Sequence, residues 1–451
     1  MKLRYILPIF LLWAGQSLAV SLKDYSPYEY KVLFTNPECA EYEYPHPVTA
    51  NNGDLLYKKP KNTYCTYNDS YESGKRASSP QYQLVKWIDD PKTTEIFMAY
   101  LSFSSSAVQK ALCRAIENRN IKMTVVLDRG GENRKRSDAA AAGKKSKSQL
   151  LLACASGVSH KPKILLKGFE GGIGYAHNKL FVVNPRDPKV MKLAFSSGNM
   201  SSGVVLHHEN WHFITTSKKS FFAQSHVCLM DSVKTAKTKW EYKEMIADCK
   251  ADIKTPAEDD IEVFFVPGEG EAAIKRIQEA VYWSKTVDFA AHRLFLGELI
   301  DALKKGMSYG LKVRGVVDDD IYWAGLGEVV GPNMTSEYYR VKGLVDKGAD
   351  VKYMETNHSL HLLHHNKFLI FDNARKSSKK PALYNKPAVF AGAGNFTSSA
   401  FKMSASKTNY ENYYYITIPE VVSAFQKQYE RLHRQLATSY DRLPTENVEA
   451  H

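Results

Sequence analysis

The chain has 451 residues, 44% of them apolar, with unremarkable glycine and proline content; this is a globular composition and excludes a disordered or low-complexity protein. The length suits two domains of about 150–200 residues, each able to bury its own core. Lysine and arginine total 61 against 48 acidic residues, a formal net charge of +13 that favours anionic partners.

Residues 1–19 read as a secretory signal: Lys2 and Arg4, an apolar run from Tyr5 to Ala14, and a Ser17-Leu18-Ala19 cleavage pattern. The run is short for a bilayer span, and no other stretch is apolar and long enough for one. The expectation is a soluble protein, secreted or periplasmic, whose signal is removed. Loss of Lys2 and Arg4 lowers the net charge by two, to +11. Residues 20–80, rich in Tyr, Asn and Pro, read as an irregular extension pinned by disulfides. All six cysteines (Cys39, Cys65, Cys113, Cys154, Cys228, Cys249) lie in the first half. An even count behind a signal favours disulfides, and sequence separation suggests Cys39–Cys65 and Cys228–Cys249; for Cys113 and Cys154 free core thiols are the alternative to a disulfide. No pair has Cys-x-x-Cys spacing, so metal ligation is disfavoured.

The first domain, residues 81–250, carries strand patterns at Ile96–Tyr100, Met123–Leu127, Lys163–Lys167, Leu180–Val183, Leu193–Phe195 and Trp211–Thr215, with a helix near Ala107–Glu117. Arg129 to Lys147 reads as a basic loop containing Arg134-Lys135-Arg136 and Lys144-Lys145-Ser146-Lys147. It leaves a strand's C-terminal end, where α/β proteins bind ligands. The polar run Asp248–Asp260, with Pro256, supplies a linker at 251–260. The second domain, 261–440, has helical patterns at Glu271–Trp283 and Glu298–Lys305 and a basic cluster, Arg375 to Lys380; residues 441–451 form a tail. Near-continuous apolar strands beside helices place both domains in the α/β class.

A repeat runs through both domains. Ala176-His177-Asn178-Lys179-Leu180-Phe181-Val182-Val183-Asn184 recurs as His364-His365-Asn366-Lys367-Phe368-Leu369-Ile370-Phe371-Asp372. Each copy leads to a small-residue turn, Ser196-Ser197-Gly198-Asn199 and Gly392-Ala393-Gly394-Asn395, then to Glu209-Asn210 or Glu411-Asn412. Upstream, strands ending at Asp128 and Asp318 stand at nearly equal distances from His177 and His365. A unit this long is a duplicated domain rather than a solenoid repeat.

At these residues the chain resembles the phospholipase D superfamily, whose signature is His-x-Lys, four residues, Asp, then Gly-Ser-x-Asn or a near relative. The second copy fits as His365, Lys367, Asp372 and Asn395, with Ala393 where serine is usual. The first fits as His177, Lys179 and Asn199, with Asn184 in place of the Asp and Ser196 in place of glycine. The resemblance covers roughly residues 80–440. It implies two similar domains, each a mixed, mostly parallel sheet flanked by helices, related by pseudo-two-fold symmetry around one shared active site. It also implies a phosphohistidine intermediate with no metal and no cofactor.

The residues suit that chemistry. Residues two apart on a strand share a face, so His177 with Lys179 and His365 with Lys367 present together. Two lysines and Asn199 and Asn395 would neutralise phosphodiester oxygens. One imidazole can attack phosphorus while the other protonates the leaving oxygen and then activates water. Glu209 and Glu411 are the candidates to fix the histidine tautomers, and Asp372 is a support residue. His177 is favoured as the attacking group. Only His365 among His358, His361, His364 and His365 has the lysine two residues on; those neighbours, like His207, His208 and His212, read as loop or strand residues. Tyr309, Tyr322, Trp323, Tyr338 and Tyr339 could stack bases or hold acyl chains.

The expected function is a metal-independent phosphodiesterase acting on nucleic acid. The alternatives are a phospholipase D acting on lipid head groups, with the basic segments docking an anionic membrane, and a catalytically dead binding protein. No obligate protein partner is implied, since both half-sites lie in one chain.

Overall fold

The computed structural model describes residues 19–35, 40–42, 48–49, 55–57, 62–64, 74–201, 203–325, 334–354 and 363–439. The signal pattern up to residue 18, Cys39–Cys65, His358, His361 and the tail lie outside the described residues, as does the side chain of Trp323.

The strands in chain order are β1 (Glu29–Thr35), β2 (Ala40–Tyr42), β3 (Val48–Thr49), β4 (Leu55–Tyr57), β5 (Asn62–Tyr64), β6 (Glu95–Tyr100), β7 (Lys122–Asp128), β8 (Lys163–Lys167), β9 (Ile173–Ala176) and β10 (Lys179–Val183). Then come β11 (Val190–Ser196), β12 (Glu209–Ser217), β13 (Ile261–Val266), β14 (Thr286–Ala291), β15 (Lys312–Asp318), β16 (Asp350–Met354), β17 (Lys367–Phe371), β18 (Ala388–Gly392), β19 (Thr408–Ile416) and β20 (Thr438–Ser439). The first sheet runs β1-β12-β11-β10-β6-β7-β8, and the second β13-β19-β18-β17-β14-β15-β16-β20. Strands β2 with β5 and β3 with β4 form two small separate pairs.

Both domains are α/β, but their sheets are more antiparallel than expected. In the first, β6-β7 and β7-β8 are parallel, while β1-β12, β12-β11, β11-β10 and β10-β6 are antiparallel. The connection from Val183 of β10 to Val190 of β11 is short and makes antiparallel neighbours, because a parallel return needs a long crossover. Asn184 opens this turn with a left-handed φ of 53°.

Each sheet packs helices on its outer face, and the inner faces share one central core. That core joins Phe195, Leu229 and Tyr242 of the first domain to Phe265, Tyr414 and Phe425 of the second. The helices Phe221–Thr235, Lys239–Ala251 and Pro419–Arg431 fill it. A core common to both domains makes them one body.

Three sequence readings are corrected. The extension is not wholly irregular: β1 pairs residue for residue along β12, and buried Leu33, with half-buried Phe34 packed on Phe425, rewards that pairing. The basic segment after β7 is a helix, Arg129–Ala141, because Asp128 caps it by accepting from the Gly131 N–H at 2.8 Å and its alanine run favours helix. The linker is packed rather than free: Glu258 accepts from the Phe222 N–H at 3.1 Å, and Asp260 from the Leu22 N–H at 2.9 Å. Cys228–Cys249 is bonded as expected, and Cys113 and Cys154 are bonded to each other, their Cα atoms 5.7 Å apart between two packed helices. Among the described residues no helix is long and apolar enough to cross a membrane.

Candidate active site

The two His-x-Lys copies meet where each sheet reaches into the other. Strand β9 leaves the first sheet to pair in parallel with β19 of the second, and His208 forms the matching bridge with His364. The His177 N–H donates to the Tyr410 carbonyl at 3.1 Å, and the His365 N–H to the His208 carbonyl at 3.0 Å. Side chains cross too: Asn178 donates to Asn412 at 3.4 Å, and Asn210 to Asn366 at 3.1 Å.

The crossing exchanges the carboxylates. His177 Nδ1 lies 2.8 Å from Glu411 of the other domain, and His365 Nδ1 lies 2.9 Å from Glu209. Both glutamates are fully buried. A carboxylate can only accept, so it places the ring proton on Nδ1 and leaves Nε2 as the reactive nitrogen. Neither Nε2 makes a hydrogen bond among the described residues.

Buried Lys179 and Lys367 sit beneath the rings. The Lys179 ammonium donates to the His177 carbonyl at 3.0 Å, and that of Lys367 to the His365 carbonyl at 2.8 Å and the Ser197 carbonyl at 3.3 Å. Burial holds Lys179 down at about 8, opposed by Glu411 and Glu209, and burial with the Lys179 charge pushes Lys367 well below the usual lysine range. His177 is lowered by burial, with the Glu411 carboxylate pulling the other way. Burial and the charges of Lys367, His292 and His207 hold His365 well below the usual histidine range. Both rings are therefore held toward the neutral form. An arriving phosphodiester anion would favour their protonated forms.

The turns after β11 and β18 bring Asn199 and Asn395 to the site, and each side-chain oxygen is buried with no hydrogen-bond partner among the described residues. The glycine before each asparagine is required. A Cβ at Gly198 would lie 1.6 Å from a Glu209 oxygen, and one at Gly394 1.8 Å from the Tyr413 hydroxyl. His177, Asn395 and Glu411 line a cleft of about 820 Å³, with Arg293, Lys407 and Phe295 on its walls.

Asp372 is not in this constellation. It stands at the far end of β17 from Lys367, accepting from the Lys285 N–H at 2.8 Å. Asn184 does the same work in the first domain, accepting from the Thr94 and Glu95 N–H groups at 2.9 and 3.1 Å, so an amide oxygen serves as well as a carboxylate. The Arg375–Lys380 cluster follows Asp372 and shares its remote end of the domain.

Several residues with no role in the sequence reading join the site. Asp128 accepts from the Ala176 N–H at 3.0 Å and Asp318 from the His364 N–H at 2.9 Å, fixing the residue before each histidine. Their signal was the matched strand-end aspartate in each repeat. His207, read as a loop or strand residue, lies 3.3 Å from Glu209, where the other half has Asn409 donating to Glu411 at 3.1 Å. His292 packs 4.9 Å from the His365 ring. By contrast, His212 bonds the Tyr30 hydroxyl at 2.9 Å and is structural. Tyr322 and Tyr338 belong to the outer core, while Tyr309 and Tyr339 are exposed. Among the described residues His207, Glu209 and His365 are close enough to hold a divalent ion, as are Asp318, Asp319 and Asp320.

Residues 273–433 match the family described as cardiolipin synthase, PLD-like domain. The phosphatidylserine synthase of Haemophilus influenzae superposes with a TM-score of 0.54 at 13% identity, over 80% of this chain and 86% of that one. The chain shares the fold of that synthase, and its residues 273–433 match the PLD-like domain. The polyphosphate kinase of Porphyromonas gingivalis matches with a TM-score of 0.48 at 13% identity, over 82% of this chain and 47% of its own, so this chain spans about half of it. Nuc, a phospholipase D family member of Salmonella typhimurium, matches with a TM-score of 0.29 at 19% identity, over 40% of this chain and 97% of its own. No curated protein sequence matches the chain. In this fold the histidines and lysines of the two His-x-Lys copies lie together, and Asp372 lies apart from them.

Proposed function

We propose that the protein is a metal-independent phosphodiesterase that works through a phosphohistidine, with nucleic acid as substrate. The observation that carries this reading is the mirrored pair His177–Glu411 and His365–Glu209, each histidine oriented by a carboxylate from the opposite domain. Lys179, Lys367, Asn199 and Asn395 would bind the non-bridging oxygens as charge develops on them.

The surroundings favour His365 as the attacking group, against the sequence-based preference for His177. His365 is held neutral more strongly, as a nucleophile requires, and Glu209 is shared with His207. His177 keeps Glu411 to support its protonated form, which suits the proton donor to the leaving oxygen. In the second step His177, now neutral, takes a proton from water, which displaces the phosphoryl group from His365.

Nucleic acid is supported by the net charge of +13, by Arg293 and Lys407 in the cleft, and by exposed Arg134, Lys144 and Lys145 on the helix and turn after β7. Export is supported by the signal pattern and by two disulfides. A phospholipid substrate is the second reading, favoured by exposed Phe169, Tyr175 and Trp240, which an interfacial enzyme could insert among lipids. The deciding assay incubates the mature, disulfide-intact protein in EDTA with DNA and, separately, with phosphatidylcholine and phosphatidylglycerol vesicles. DNA cleavage that disappears in His365→Ala is expected. Head-group release with intact DNA would establish the lipid reading, and full inhibition by EDTA would point to a metal at His207, Glu209 and His365.

A further inference from the structure

Between β8 and β9 the chain makes a tight hairpin, and Tyr175 on its returning strand lines the cleft. The Phe169 N–H donates to the Gly174 carbonyl at 2.8 Å and the Ile173 N–H to the Glu170 carbonyl at 2.8 Å. Gly171 and Gly172 turn the corner with φ of 58° and 77°, the signs a type I′ turn needs. The hairpin is held from outside as well. The Lys239 N–H donates to the Gly171 carbonyl at 2.9 Å, and Arg129 pairs with Glu170 at 2.7 Å.

This fixed loop presents two aromatic rings to solvent. Phe169 is 44% and Tyr175 49% exposed, and their rings meet edge to face with centroids 5.0 Å apart. Phe169 holds a left-handed φ of 60°, a conformation that a bulky side chain ordinarily avoids. An exposed phenylalanine on strained backbone adds little to a core, which makes a binding role the better account. Lys407 places its ammonium 5.7 Å from the Phe169 ring centre, and Lys407 and Tyr175 line the cleft together with His177. Tyr175 precedes His177 by two residues, roughly 6.6 Å along extended chain, about the reach from a phosphate to the neighbouring base. Its N–H donates to Asn409 at 3.0 Å, and Asn409 in turn donates to Glu411, the carboxylate on His177.

We propose that Phe169 and Tyr175 form a base-stacking subsite for single-stranded nucleic acid, seating the base next to the phosphodiester at His177; this rests on the nucleic-acid reading above. A paired, stacked base has no free face to offer, whereas an unpaired base stacks on any aromatic ring regardless of sequence. Lys407 covers the adjacent phosphate. The subsite therefore selects strand state rather than sequence, and it sets which phosphodiester of a single strand enters the site.

The test is steady-state kinetics on the mature, disulfide-intact protein with a short oligothymidylate and an abasic strand of equal length. The wild type is expected to show a KM at least about 10-fold lower for the base-bearing strand. In the Phe169→Gly/Tyr175→Ala double variant the two KM values are expected to converge. Glycine is at ease at positive φ and both rings are exposed, so a thermal melt should show the fold intact. Equal KM values in the wild type, or a difference that persists in the double variant, would overturn the proposal while leaving the nuclease reading standing. Hydrolysis of phosphatidylglycerol vesicles with neither strand cleaved would overturn the nuclease reading itself, and this subsite with it.

Discussion

Glu411→Gln changes one heavy atom and should abolish the proposed activity without unfolding the protein. Asn409 is oriented by the Tyr175 N–H, which donates to its oxygen at 3.0 Å, so its amide nitrogen must face Glu411, 3.1 Å from Oε1. The other carboxylate oxygen meets His177 Nδ1 at 2.8 Å. In the glutamine variant the Asn409 donor selects the amide oxygen for the Oε1 position, which turns the new NH2 group toward His177. Nδ1 must then accept, and the ring proton moves to Nε2. The charge-assisted hydrogen bond, worth about 1.5–3 kcal/mol, is lost as well. Inverting the tautomer of a carboxylate-bound histidine lowers kcat by about 10⁴ in serine proteases. A fall of about 10³–10⁴, or roughly 4–5.5 kcal/mol in the barrier, is expected here. Thermal stability should fall by no more than about that hydrogen bond's worth, because the isostere keeps the packing. Single-turnover cleavage beside a thermal melt separates the two effects. Activity within about 10-fold of wild type would refute the orienting role of Glu411.

Gly198→Ala should abolish turnover, since its Cβ would lie 1.6 Å from a Glu209 oxygen and displace the partner of His365; full activity would mean that the turn can move aside. Lys179→Met should abolish turnover yet stabilise the protein at pH 7. Burial lowers Lys179 from 10.5 to about 8, so the unfolded chain binds that proton more tightly and wild-type stability rises with pH between those values. At about 1.4 kcal/mol per unit, the gain at pH 7 is at most about 3 kcal/mol, shrinking as pH approaches 10.5. A lower melting temperature for the variant at pH 7 would contradict this. Cys113→Ser opens a disulfide of sequence separation 41 and should cost about 4 kcal/mol by urea unfolding, whereas loss of under about 1 kcal/mol would show that the bond closes little unfolded-chain entropy.

The histidines, lysines and glutamates of the site were legible in the sequence because duplication printed each of them twice in matched context. Strand positions followed from the apolar runs, and β8 falls where they placed it, at Lys163–Lys167. What the sequence could not show is which glutamate meets which histidine. That exchange is set by β9 crossing to β19, a packing of two sheets that leaves no local pattern. Asp372 looked like a member of the site because it shares the motif, yet five residues of extended strand carry it to the opposite end of the sheet. The basic run after Asp128 concealed a helix because its charges outweighed its alanines in a reading by polarity. Phe169 carried no signal, since a single phenylalanine between Gly168 and Glu170 reveals neither its exposure nor its φ.

The central claim is that one phosphoryl-transfer site is shared by two histidines from two domains. The direct measurement is mass spectrometry on His177→Ala and His365→Ala after reaction with a nucleotide p-nitrophenyl phosphodiester, whose leaving group needs no proton. A covalent phosphoryl adduct on His365 in His177→Ala, and none in His365→Ala, is the expected result. An adduct on His177 in the His365→Ala variant would reverse the two roles. Release of nitrophenol with no adduct on either histidine would contradict the phosphohistidine mechanism.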